Sequence, residues 1–264
     1  MHSEAIGGGD AGTREARFFF RLALAMAATV FVGFSFHLAM GRSSFDAPLL
    51  VHGHAVVFMG WVCIYVLQNW LVASGNVALH RRTGWLAVGW LALLIWFGTA
   101  VTMAVVQNGT APFFFLPQHF LIVNPLGLLA SVGLVAAAVA LRRRTDWHRR
   151  LQLCAMAMLM GPAFGRLLPM PFMKPYAFEI ASLAGLIFPL IAIWRDRRQG
   201  HIHPAWAWGL PVMPIVLLLA LLLSHSPVGD AYYRAVTAGT PGANIAPMDY
   251  PPPPPDGARR PDRK

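Results

Sequence analysis

Residues 51–73 read VHGHAVVFMGWVCIYVLQNWLVA, an apolar run that carries no Lys, Arg, Asp or Glu and opens on His52 and His54. A helix needs about 20 mainly apolar residues to cross a bilayer, whose hydrocarbon offers the backbone no other hydrogen-bond partner. This run is long enough. Working outward, comparable runs bounded by charge fall at Phe18–Met40, Gly84–Val106, Phe113–Leu141, Leu151–Leu168, Met173–Trp194 and Trp206–Ser224. Together they predict an all-α fold, a polytopic membrane helix bundle of about seven transmembrane helices. Leu151–Leu168 carries Gly161, Pro162 and Arg166, and is retained because neighbouring helices can satisfy backbone groups freed by such residues. The composition agrees, with 56% hydrophobic and 12% charged residues.

Basic residues set the expected orientation, because Lys and Arg are retained in cytoplasmic loops. Arg14, Arg17 and Arg21 lie before or at the start of the first run, and Arg81 and Arg82 separate the second and third. Arg142, Arg143, Arg144, Arg149 and Arg150 separate the fourth and fifth, and Arg195, Arg197 and Arg198 the sixth and seventh. The alternate short loops hold only Arg42 and Lys174. The N-terminus is therefore expected inside and the C-terminus outside, and the net charge of +10 follows from topology, with no support for a nucleic-acid partner. The organisation read from this is a cytoplasmic N-terminal segment (1–17), a transmembrane bundle (18–225) and a disordered Pro-rich tail (226–264) that contains Pro251–Pro255. The polar stretch 1–17 leads into a run too long for the apolar region of a cleaved signal peptide. Cys63 and Cys154 both fall within apolar runs and read as core filler.

Histidine placement carries the functional reading. His52/His54 and His80 open consecutive elements, as do His119 and His148, and the interval from His52 to His80 nearly matches that from His119 to His148. On the expected topology His37, His52, His54 and His119 lie toward the outer face, and His80, His148, His201 and His203 toward the inner one. An ionisable group inside a bilayer is costly and is a functional candidate turned to the bundle interior. Residues two apart differ by about 200° around a helix, so His52 and His54 cannot both face one partner. Depth favours His54 with His119, with His52 as the alternative. A bis-imidazole pair on two helices is one way to hold haem iron in a bundle. At the inner face His80-Arg81 and His148-Arg149 offer imidazoles for iron beside arginines for haem propionates; the alternative makes them interfacial anchors. Arg166 and Glu179 could pair within the membrane.

The layout resembles the transmembrane dihaem cytochromes of the b-five-sixty-one type, in which histidines on four successive helices pair second with fourth and third with fifth. It also resembles a bacterial family of multi-pass membrane proteins of unknown function, marked by a histidine near the head of one helix, a His-Arg-x-x-Gly element opening the next and a later His-Arg-Arg. Here these are His52/His54, His80-Arg81-Arg82-Thr83-Gly84 and Trp147-His148-Arg149-Arg150. The similarity spans roughly Val51 to Leu168. It implies haem b, electron transfer with a quinone or redox-protein partner, and a multi-pass place in a bacterial inner (plasma) membrane.

No Gly-x-Ser-x-Gly elbow, His-Glu-x-x-His pair, phosphate loop or paired intramembrane carboxylate is present. Three classes remain. One is a haem b electron carrier. Another is a copper-handling protein that uses His37, His52, His54 and His119 with Met40, Met170 and Met173, since imidazole with thioether suits copper. The third is a cofactor-free membrane scaffold or assembly partner. The sequence leaves the oligomeric state open.

Overall fold

The computed structural model describes residues 4–43 and 45–251, with side chains described from Gly12 onward. The described residues form helices and connecting turns. The long ones are α1 (Glu4–Ala39), α2 (Leu49–Ala73), α3 (Val77–Gln107) and α4 (Pro117–Ala140). Two shorter helices follow, α5 (Thr145–Met158) and α6 (Gly161–Leu167), and then α7 (Ala177–Ala184) and α8 (Ile187–Arg198). The chain continues through α9 (Ala205–Gly209), α10 (Val212–Ser224) and α11 (Pro227–Thr237). Six stretches are long and apolar enough to cross a membrane, those of α1 to α4, α7 with α8, and α9 with α10. Their outward faces carry large exposed apolar side chains, among them Phe31, Val32, Leu86, Trp96, Leu218 and Leu222, a surface suited to lipid and costly in water. This is an integral membrane protein.

The predicted span Leu151–Leu168 differs from the others. It is two short helices separated at Leu159–Met160, where Gly161 and Pro162 open α6. Both helices of the pair pack against the spanning helices. Arg150 at the head of α5 binds Asp196 at the end of α8, 2.8 Å apart, while α6 packs on α7, the beginning of the returning strand of chain. Arg149 also reaches Glu15 of α1 at 2.9 Å. The basic loops expected on one side therefore do gather at one end, called here the arginine-rich end. His37, His52, His119 and Glu179 belong to elements whose facing ends lie at the other, distal end.

Helices begin earlier than hydropathy suggests. Asn76 caps α3 by accepting the Leu79 amide at 3.3 Å, so His80 lies inside the first turns of that helix and not ahead of it. α5 likewise starts at Thr145, six positions before the apolar run, which brings His148 into the packed helix. Caps and acidic first turns are tolerated where the chain leaves the apolar zone.

Closest approaches use small residues. A Cβ on Gly33 of α1 would lie 2.8 Å from the Ala163 carbonyl oxygen of α6, so this crossing depends on glycine, as membrane helix contacts often do. Of the two cysteines Cys154 is buried, but Cys63 lies on the exposed face of α2, so its reading as core filler is corrected.

The reading of 226–264 as a disordered tail is corrected for its first two thirds. Ser226 caps α11, accepting the Gly229 amide at 3.2 Å, with Pro227 in the first turn. Tyr233 is buried, and its hydroxyl lies 3.2–3.3 Å from the carbonyls of Ile245 and Gly242. Gln107 donates to the Val236 carbonyl at 3.1 Å and the Gln118 amide to that of Pro247 at 3.0 Å. The segment folds over the distal end, where it satisfies a backbone donor that the start of α4 leaves open. Residues 252–264, with most of the proline run, lie outside the described residues.

Candidate functional site

A cavity of about 760 Å³ opens at the arginine-rich end, walled by α1 to α5. Its apolar side comes from Phe19, Trp61, Tyr65 and Val135, and its polar side from Gln68, Asn69 and Gln152. His80 of α3 and His148 of α5 both line it, with ring centroids 6.2 Å apart and planes at 82°. Two helices that do not follow one another thus present two imidazoles to one space.

Second contacts orient these rings. The Nδ1–H of His148 donates to the Ala138 carbonyl at 2.8 Å. A neutral ring with its proton on Nδ1 keeps a lone pair on Nε2, the arrangement usual for a metal-bound histidine. His80 Nδ1 is buried with no partner in the protein, a costly state for a polar atom and one that a ligand would relieve. Beside His80, Gln68 donates to Thr83 Oγ1 at 2.7 Å and Thr83 to the Leu79 carbonyl at 2.8 Å.

The arginines divide into two sets. Arg81, Arg142 and Arg143 line the cavity mouth, and among the described residues no carboxylate lies in ion-pair reach of them; Arg142 stands 6.0 Å over the Trp85 ring. Arg149 and Arg150 are engaged in ion pairs. Arg149 also lines the cavity, and it binds Glu15 at 2.9 Å and Asp146 at 3.1 Å. Arg150 grips Asp196 with two bonds, Nε to Oδ2 at 3.0 Å and Nη2 to Oδ1 at 2.8 Å, and touches Glu15 at 3.0 Å. Trp206 adds its indole N–H to Asp196 at 2.7 Å. This buried network ties α1, α5, α8 and α9 together. Sequence reading missed Glu15, Asp196 and Trp206; the one signal was an acid set among Arg195, Arg197 and Arg198.

At the distal end the expected ligands His54 and His119 each have protein neighbours of their own. His119 is buried, with Nδ1 3.1 Å from Ser224 Oγ and Nε2 3.1 Å from Glu179 Oε1. Nε2 is thus at ion-pair distance from Glu179 without an aligned hydrogen bond. His54 stacks on Phe58, centroids 4.2 Å apart, with Nδ1 buried and unpartnered. His52 Nε2 faces the Phe45 carbonyl at 3.1 Å, and His37 lies within electrostatic reach of Arg166. The Arg166–Glu179 pair is corrected too, since Arg166 stacks on Phe34 at 3.9 Å and donates to the Pro162 carbonyl at 2.8 Å. Nor is a copper group assembled: among the described residues no three His, Cys, Asp or Glu side chains gather, and Met170 is buried among Ala177, Ala181, Phe114 and Phe115.

No family model, curated protein or solved structure matches the chain.

Proposed function

We propose that the cavity at the arginine-rich end holds one b-type haem, which the imidazoles of His80 and His148 would bind, and that the protein carries electrons at that membrane face. The observation that supports this is the pair of imidazoles facing one cavity, 6.2 Å between centroids and near perpendicular. The volume suits a cofactor, since such sites enclose roughly 300–1,000 Å³. When bound, haem supplies a reversible one-electron couple set by its axial ligands and surroundings.

The chain's own residues do the rest. Ala138 holds the His148 ring by its carbonyl. Phe19, Trp61 and Tyr65 form a dry wall, and Arg81, Arg142 and Arg143 stand where forked donors would receive ligand carboxylates. Seven crossings with the N-terminus inside and the C-terminus outside put this end on the cytoplasmic side, within reach of a quinone or a soluble redox protein.

A reduced-minus-oxidised spectrum of the detergent-solubilised protein, with haem counted per chain, tests the reading. One haem is expected, lost in both His80→Ala and His148→Ala and retained in His54→Ala and His119→Ala. Absence of haem from the native membrane protein, or its survival in both cavity variants, overturns it. A C-terminal reporter active only in the cytoplasm should stay silent.

A further inference from the structure

We propose that His119 and Glu179 form a proton-binding site at the distal end, which holds one proton beyond those of a neutral imidazole and an ionised carboxylate. This does not depend on haem in the cavity. The argument is a count of hydrogens. Ser224 has a single hydroxyl hydrogen, and its Oγ lies 2.6 Å from the Ala220 carbonyl, which can only accept. That hydrogen is therefore spent on Ala220. Ser224 Oγ, 3.1 Å from His119 Nδ1, is left as an acceptor, so Nδ1 must carry a hydrogen.

The other ring nitrogen follows. With Nδ1 protonated, a neutral His119 presents a bare lone pair at Nε2, and Nε2 lies 3.1 Å from Glu179 Oε1. An ionised carboxylate also only accepts. Two acceptors pressed together where the side chains are 7% and 20% exposed repel each other with little water to screen them. One proton removes the conflict, as an imidazolium against a carboxylate or as a carboxyl donating to a neutral ring. The contact is of ion-pair length but is not aligned as a hydrogen bond, so a small turn of either side chain seats the proton.

The surroundings favour holding it. On the same turn of α4, Gln118 spends both amide hydrogens, on the Ser224 carbonyl at 2.7 Å and on Asp230 Oδ1 of α11 at 2.8 Å. That fixes its orientation and leaves Oε1 buried without a donor. Phe178 covers the His119 ring edge-on at 5.7 Å. Tyr250 from the C-terminal segment lies within electrostatic reach of Glu179, and Lys174 stands 4.2 Å over the Tyr250 ring. Arg166 of α6 is turned to Phe34 of α1, and His225 Nδ1 faces the Leu221 carbonyl of its own helix. The partial exposure of Glu179 gives the proton its route to water. A divalent cation is the other conceivable occupant, but no third His, Cys, Asp or Glu joins the pair among the described residues.

The test uses the full chain in lipid nanodiscs with ¹⁵N-labelled histidine, the His119 signals being assigned by comparison with His119→Gln. At neutral pH the native protein should show Nδ1 protonated and one more proton on the pair, seen as a protonated Nε2 or as an infrared carboxyl band that Glu179→Gln removes. In Glu179→Gln, whose amide can donate to Nε2, the same spectra should show a neutral ring and no extra proton on the pair. A native protein with a bare Nε2 beside an ionised Glu179 at neutral pH, or with Nδ1 unprotonated, overturns the proposal. So does stoichiometric zinc that Glu179→Gln loses.

Discussion

The two ends of the bundle use the same residue type differently. At the arginine-rich end His80 and His148 line one cavity with ring centroids 6.2 Å apart, and one ring nitrogen is buried without an aligned hydrogen bond. At the distal end His119 lies between Ser224 and Glu179, 3.1 Å from each, so that a polar group of the chain stands at both nitrogens, although Nε2 makes no aligned hydrogen bond. Spacing along the sequence is nearly equal for the two sets. What separates a ligand-binding histidine from a structural or proton-holding one is whether the chain itself supplies partners to both nitrogens, and that depends on residues more than fifty positions away, such as Glu179 and Ser224 for His119.

The largest effect expected from a single substitution lies in the arginine-rich end's scaffold. Asp196 is 3% exposed and receives Arg150 twice and Trp206 once. Removing one partner of such a pair strands the other charge and costs about 3–5 kcal/mol. Asp196→Ala should therefore abolish the folded protein or lower its melting temperature more than any distal substitution, with Asp196→Asn intermediate because it keeps acceptors without charge. Equal melting of Asp196→Ala and the native chain would show that the network is incidental, and would remove the contrast between a rigid end and a cavity built on it.

A middle-sized effect tests the contact on which both ends depend. Gly33→Ala drives a methyl group against the Ala163 backbone oxygen, which cannot turn away as a side chain can, and overpacking of this kind costs about 1–3 kcal/mol. Gly127→Ala, with nothing within 4 Å of the added carbon, is the control and should melt like the native protein. If both behave alike, the α1–α6 crossing is looser than drawn.

The distal cap should respond more locally. Gln118→Leu leaves the Ser224 carbonyl and Asp230 without their buried donor, a loss of about 1–3 kcal/mol. Half-buried Asp230 can recover part of it from water. The expected readout is faster proteolysis within 227–251 while absorbance from the cavity is unchanged. Coupled loss of both would mean that the ends are not independent.

The helical membrane fold was legible because lipid imposes a simple rule: runs such as Val51–Ala73 must satisfy their own backbone. The gathering of basic loops was legible for the same reason. The break at Leu159–Met160 was signalled by Gly161 and Pro162 but not its form. Helix starts were misplaced because hydropathy marks where lipid begins, whereas Asn76 and Thr145 mark where the backbone begins to coil. The folded segment from Ser226 was missed because its composition is that of a linker; its order comes from Tyr233, Gln118 and Gln107, contacts that only the closed bundle creates. His148 and Arg149 read as a unit in sequence and point to different partners in the fold, since adjacent residues on a helix are about 100° apart.

The smallest effect concerns pH at the arginine-rich end, outside the spans. His203 Nδ1 accepts the Ala205 amide at 3.1 Å and so helps start α9. Burial, and then the nearby Arg150 guanidinium, hold its imidazole below its ordinary 6.5, against an opposite pull from Asp146 and Asp196. A histidine depressed in the folded state binds fewer protons there than in the unfolded chain. Its contribution is therefore complete above the unfolded value and declines as pH falls from about 6.5 through the folded one. Protonation also removes the lone pair that caps Ala205, so charge and geometry act in the same direction. The native protein should lose a little melting temperature between neutral and mildly acidic pH, and His203→Gln should flatten that slope. An unchanged acid slope in His203→Gln would assign the sensitivity to another group.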